Sequence, residues 1–174
     1  MSAQKELFRA QCQLALEFDL PVIIHTRESL AQTLEVIDAL PSMPRGQFHC
    51  FSHDEEGIKQ VLARGFYVSF CGNITWSKRV ARLVNLVPTD RLLLETDSPL
   101  MVPRDKKGNP IQWGESSDHS PIIAQGSELG EPGSNRNEPA NVRILAEKIA
   151  EIRGQSLLEI EKFTTENVKT LFKL

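Results

Sequence analysis

Arg91-Leu-Leu-Leu-Glu-Thr-Asp97 is the stretch on which the reading of this sequence turns. The turn Pro88-Thr89-Asp90 leads into three consecutive leucines, which read as a short buried strand ending in acid. Side chains alternate along a strand, so Glu95 and Asp97 are expected on the same side of it. Three upstream runs share this texture: Val22 to His25, Gly46 to Phe51 and Phe66 to Cys71. Val22-Ile23-Ile24-His25 has the β-branched bulk expected of a strand covered on both faces.

Helical patterns separate these runs. Residues 3–18 carry Ala3, Leu7, Ala10, Leu14 and Phe18 on one stripe. Ser29 with Gln32, and Ser52 with Glu55, read as capping boxes opening the next two helices. The second of these carries Ile58, Val61 and Leu62 and stops at Gly65. A further helix is expected from about Ser77 to Val87. Alternating strands and helices argue for an α/β chain with a parallel sheet and helical crossovers.

Residues 98–138 break the rhythm with five prolines, five glycines and many polar residues, and read as a long irregular insert or lid. Order resumes at Pro139, a good first helical residue, and that helix stops at Gly154. Ser156 with Glu159 caps a short further helix, and Thr165 to Phe172 is expected to close the chain. With 174 residues, the whole reads as one domain.

Twenty basic against 23 acidic residues exclude a globally basic nucleic-acid wrapper but leave room for a local cationic groove. Cys12, Cys50 and Cys71 are an odd set without C-x-x-C spacing, so no disulfide framework or zinc knuckle is indicated. No apolar run is long enough to span a bilayer, and no signal sequence opens the chain, which makes a cytoplasmic location the expectation. No Gly-rich fingerprint follows any strand, so dinucleotide and P-loop readings lose their support.

In parallel α/β folds, ligands bind at the carboxyl ends of the strands. His25, His49, Glu95 and Asp97 all fall at or near such ends. Two imidazoles and two carboxylates on one rim are a suitable nitrogen and oxygen donor set for a divalent metal. Taken singly, each has a structural alternative: a satisfied strand-end histidine, a Glu95–Arg91 pair, or an Asx turn at Asp97. Arg27, two residues past His25, sits where a guanidinium could grip a phosphate or carboxylate, with a solvent-facing or helix-pairing arginine as the alternative. Arg136-Asn137 enters a helix N-terminus, which favours anions, with plain capping by Asn137 as the competing role. His53 reads as a surface histidine, His119 sits in the irregular segment, and Cys50 and Trp76 read as packing residues.

Taken in order, Pro21-Val-Ile-Ile-His25-Thr-Arg27, Phe48-His49-Cys-Phe51-Ser52, Gly65-Phe-Tyr-Val-Ser-Phe70, Leu94-Glu95-Thr-Asp97-Ser-Pro99 and Arg136-Asn-Glu-Pro139 resemble the motifs of TatD-type deoxyribonucleases. These are metal-dependent hydrolases of the amidohydrolase superfamily, built on a TIM-type barrel. The resemblance runs from about Gln4 to the C-terminus, interrupted by the Pro/Gly-rich segment. It implies that His25, His49 and Asp97 are metal ligands, and that Asp97 and Glu95 serve catalysis. Arg27, Arg136 and Asn137 would then contact substrate.

The implied reaction is hydrolysis of DNA phosphodiester bonds, of the 3′-to-5′ exonuclease type, with Mg2+ the expected metal and Mn2+ or Zn2+ as alternatives. The family's H-x-H pair and a further glutamate have no counterpart here. A complete barrel needs about 250 residues. The chain is therefore expected to be the C-terminal half of a (β/α)8 barrel, a single partial domain over residues 1–174. Its partners would be DNA and either a complementary N-terminal half-barrel chain or a second copy. Two other readings remain at this stage: a metal-dependent amide or ester hydrolase, and a non-catalytic half-barrel that only assembles.

Overall fold

A computed structural model describes residues 2–113, 121–123 and 136–174. Helix α1 (Ala3–Glu17) precedes three strand–helix pairs: β1 (Val22–His25) and α2 (Leu30–Asp38), β2 (Gly46–His49) and α3 (Glu55–Ala63), β3 (Tyr67–Phe70) and α4 (Lys78–Leu83). Strand β4 (Leu92–Leu94) completes a sheet of order β1-β2-β3-β4 in which every pairing is parallel. Ile24 lies opposite Phe48, and Phe70 opposite Leu94. Helices α5 (Val142–Arg153) and α6 (Leu157–Phe172) follow, α6 packing beside β4. Among the described residues no helix is long and apolar enough to cross a membrane.

The α/β alternation is as the sequence implies, and the centre of the sheet is its driest part. All four residues of β3 are buried, and Phe48, Phe66, Phe70, Val68 and Leu92 fill a core shared with Ile58, Val61, Leu145 and Ile149. Strand β1 departs from expectation. It pairs with β2 on one side only, so Ile23 is 59% exposed and just one of its four residues is buried.

The face of α1 is also the other one. Ala3, Leu7, Ala10, Leu14 and Phe18 are all exposed, while Cys12 and Ala15 are buried and Phe8 packs against the core. Two stripes of α1 carry apolar groups, and the one with the smaller side chains at its centre is the one that packs inward.

Caps explain where the helices start and stop. Ser29 makes no side-chain cap, and Asp54 rather than Ser52 caps α3, accepting from Gly57 N at 2.8 Å. Asp54 sits one residue before the helix, where its carboxylate reaches the orphan amides of the first turn. The capping box of Ser156 and Glu159 forms as read, and Gly154 ends α5 in the left-handed conformation. Helix α6 then runs unbroken to Phe172, merging the two short helices expected there.

Within the segment expected to be irregular, β5 (Ile111–Trp113) and β6 (Pro121–Ile123) form an antiparallel pair. His119 lies outside the described residues.

Candidate metal centre

Register brings the two predicted histidines together. His25 and His49 are Cα partners across β1 and β2, and their rings lie 5.6 Å apart at 51°. After His49 the backbone turns sharply, with Cys50 at φ 47, a left-handed conformation uncommon for a side chain of this kind. That turn aims the Cys50 amide at Glu95, which accepts it through Oε1.

Glu95 is the hub. Its Oε2 bonds Nδ1 of His49 and accepts a hydrogen bond from the buried Ser69 hydroxyl at 2.8 Å. The carboxylate is 13% exposed and holds the imidazole by one nitrogen, leaving the other, Nε2, 3.2 Å from Asp97 Oδ1. The hydrogen bond to Glu95 raises the His49 pKa above its ordinary value, against the opposing effect of burial. A ring protonated at Nδ1 alone turns a lone pair toward Asp97. Two donors bound at about 2.1 Å to one cation stand roughly 3 Å apart, so this spacing fits a shared ion. A carboxylate on the far nitrogen of a ligating histidine is the usual outer support of such a site.

Glu95 and Asp97 reach His49 by a route the strand pattern does not give. Strand β4 ends at Leu94, and Asp97 itself lies at φ 57, so alternation does not extend to it. The loop is instead held by Asn137, which is 2% exposed. Its amide nitrogen donates to Thr96 O at 2.6 Å and Leu100 O at 2.7 Å, and its oxygen accepts from Glu138 N and Asn141 Nδ2. Expected to meet substrate, Asn137 has its amide committed within the chain. Gly72 allows the same loop to pass close by, since a Cβ there would sit 1.7 Å from Met101 O.

The expected convergence of three donors is met only in part. His49 and Asp97 face each other, whereas His25 is an exposed side chain on the outer strand. Among the described residues, the trio whose donor atoms lie within 4.8 Å of one another is Cys50, Cys71 and Glu95. The sequence reading treated Cys50 as core packing and did not connect it with Cys71, 21 residues on. Both are buried, with the sulfurs 2.7 Å apart, and this contact and burial push the Cys71 thiol far up.

His53 is not the surface residue expected. It is half-buried, with Nε2 2.7 Å from Thr26 Oγ1, and burial lowers its pKa. Thr26 follows His25 directly, so His53 braces the carboxyl end of β1. Arg27, two residues past His25, and Arg136, next to Asn137, are exposed, and Trp76, expected to pack, is 47% exposed in the stretch after β3.

The chain is similar to proteins already described. A protein called "Uncharacterized metal-dependent hydrolase YabD" from Bacillus subtilis (strain 168) is 33% identical over 98% of this chain and 58% of its own. The "3'-5' ssDNA/RNA exonuclease TatD" of Citrobacter rodentium (strain ICC168) is 31% identical over the same shares. The chain thus spans under two thirds of the length of these relatives.

Among solved structures, the hydrolase TatD family protein of Entamoeba histolytica superposes at a TM-score of 0.76. It is 23% identical, over 94% of this chain and 55% of that one, and shows the fold alone. YJJV, a TatD homolog from Escherichia coli K12, superposes at 0.70 with 25% identity over 94% of this chain and 54% of that one. The family described as TatD related DNase matches residues 1–173, nearly the whole of the sequence that carries the His49–Glu95–Asp97 arrangement, and the chain belongs to that family.

Proposed function

We propose that this chain supplies the metal-binding rim of a hydrolase that cleaves DNA phosphodiester bonds from a 3′ end, and that its four strands are half of an eight-stranded barrel. The observation that carries the reading is His49, held at Nδ1 by Glu95 with its Nε2 turned to Asp97. The open edge at Ile23 and a largely apolar groove between α5 and α6 that reaches Leu94 at the end of β4, lined also by Ala146 and Val168, support the half-barrel reading.

His49 and Asp97, with His25 beside them, would hold a divalent cation, and such an ion would supply charge neutralisation at the phosphate and ease deprotonation of water. The chain's own residues do the rest. Glu95 fixes the tautomer and ring plane of His49, and Ser69 and the Cys50 amide fix Glu95. Asp97 accepts the proton released from water. Arg27 and Arg136 steady the non-bridging phosphate oxygens, a role suited to guanidinium forks. Asn137 acts at one remove by holding the Thr96–Met101 loop, and Trp76 offers an exposed ring on which an unpaired base can stack.

The test combines metal titration by calorimetry with hydrolysis of end-labelled single-stranded DNA. Mn2+ is expected to bind, chelation to stop cleavage, and His49→Ala to lose both. Cleavage indifferent to chelator or to His49→Ala rejects the assignment. A chain that binds no metal and only self-associates supports the assembly-only reading instead.

A further inference from the structure

The thiols of Cys50 and Cys71 have no part in the chemistry above, yet they are placed with unusual closeness. They follow β2 and β3, adjacent parallel strands, and their sulfurs are 2.7 Å apart. Cys50 is 7% exposed and Cys71 fully buried, so Cys50 is the member nearer the solvent. Three constraints hold them facing each other. The left-handed backbone at Cys50 turns the chain back, Glu95 anchors the Cys50 amide, and Asn73 directs its amide nitrogen at the Cys50 sulfur from 3.8 Å. Cys12, the remaining thiol, is on the buried face of α1, and no such contact to it is found among the described residues.

We propose that Cys50 and Cys71 form a dithiol–disulfide couple, a modification site at the floor of the rim that takes peroxide-class oxidants. The Cys50 sulfur attacks one peroxide oxygen, breaking the O–O bond and becoming sulfenic acid as the other oxygen leaves as water with the thiol proton. The Cys71 sulfur then attacks the Cys50 sulfur, the S–S bond forms, and the sulfenic oxygen departs as water with the Cys71 proton. Overall, two thiols and one hydrogen peroxide give one disulfide and two waters.

A metal shared by the two sulfurs fits less well. Sulfurs bound at about 2.3 Å to one tetrahedral ion stand farther apart than this pair. The oxygens of Glu95, the third member of the cluster, are already engaged by His49, Ser69 and the Cys50 amide. Disulfides in reducing compartments are typically transient and redox-sensing, which suits a pair lacking the spacing of a structural framework. The couple stands whether or not the chain is a hydrolase.

The experiment uses the full chain, reduced, freed of reductant and exposed to stoichiometric hydrogen peroxide. Titratable thiols in denaturant are expected to fall from three to one. Peptide mapping should find Cys50 joined to Cys71 with two hydrogens lost, reversible by dithiothreitol. Cys12→Ser should form the same crosslink, and Cys71→Ser none. The proposal is overturned by a crosslink through Cys12 or between chains, or by sulfinic acid at Cys50 beside a free Cys71. Three unchanged thiols, or thiols that titrate only after a bound metal is stripped, overturn it equally.

Discussion

Strands β1 and β3 are both short and both predominantly apolar or aromatic, yet they end up in opposite surroundings. Every residue of β3 is buried between neighbours on both sides, while β1 has one paired edge and shows Ile23 at 59% exposure. The histidines repeat the contrast: His49 on the inner strand is gripped by two carboxylates, and its register partner His25 is exposed. Place in the sheet, more than composition, decides whether an apolar residue is core and whether a histidine is pre-oriented.

Cutting into the inner strand should cost most. Phe70→Ala removes a fully buried ring and is expected to lower stability by about 3–5 kcal/mol, against about 0.5 kcal/mol or less for Ile23→Ala. Denaturant melts of the two variants measure the gap, and equal losses would mean that the β1 edge is covered in solution.

Next in size is the loss of the His49 support. Glu95→Gln should weaken divalent-metal affinity about 10- to 100-fold, the usual effect of removing an outer-sphere partner. Calorimetric titration with Mn2+ reads this directly. Unchanged affinity would place the cation elsewhere. In the same titration His25→Ala is expected to weaken binding less than His49→Ala, because the His25 ring has no carboxylate ordering it beforehand.

The pH response should be smaller and has a definite sign. Since Glu95 raises the folded pKa of His49, its stabilisation is full below the ordinary imidazole pKa and is lost as pH rises through the raised folded value. His53 pulls the other way, because burial lowers its pKa, so the difference between wild type and Glu95→Gln isolates His49. Thermal melts in chelator across this range should show the two proteins converging toward higher pH. Smallest of all, Trp76→Ala should leave stability nearly unchanged and raise KM for single-stranded DNA more than it lowers kcat.

Apolar runs between turn residues gave away the strands, because a parallel sheet buried from both sides requires them. The rim residues were legible for the same reason, as each follows such a run. Position within the sheet was not, since a local apolar pattern does not state how many neighbours a strand will have. This is why β1 and the face of α1 were misjudged. The cap of α3 went to Asp54 instead of Ser52 through a shift of two residues that periodicity does not fix. The meeting of Cys50 with Cys71 depends on β2–β3 pairing and one left-handed residue, neither of which has a signature in the spacing of the cysteines. Asn137 looked like a capping or ligand-facing residue because its partners, the carbonyls of Thr96 and Leu100, lie about forty positions upstream.

That asparagine has a further corollary. By fastening Thr96 and Leu100 to the approach of α5, it ties the acidic tip to the start of that helix across about forty positions of sequence. Doubling the length of a flexible loop with fixed ends costs only about 0.6 kcal/mol in closure entropy. Length added between these two anchors is thus expected to leave the acidic tip in place, because the Asn137 bonds set its geometry.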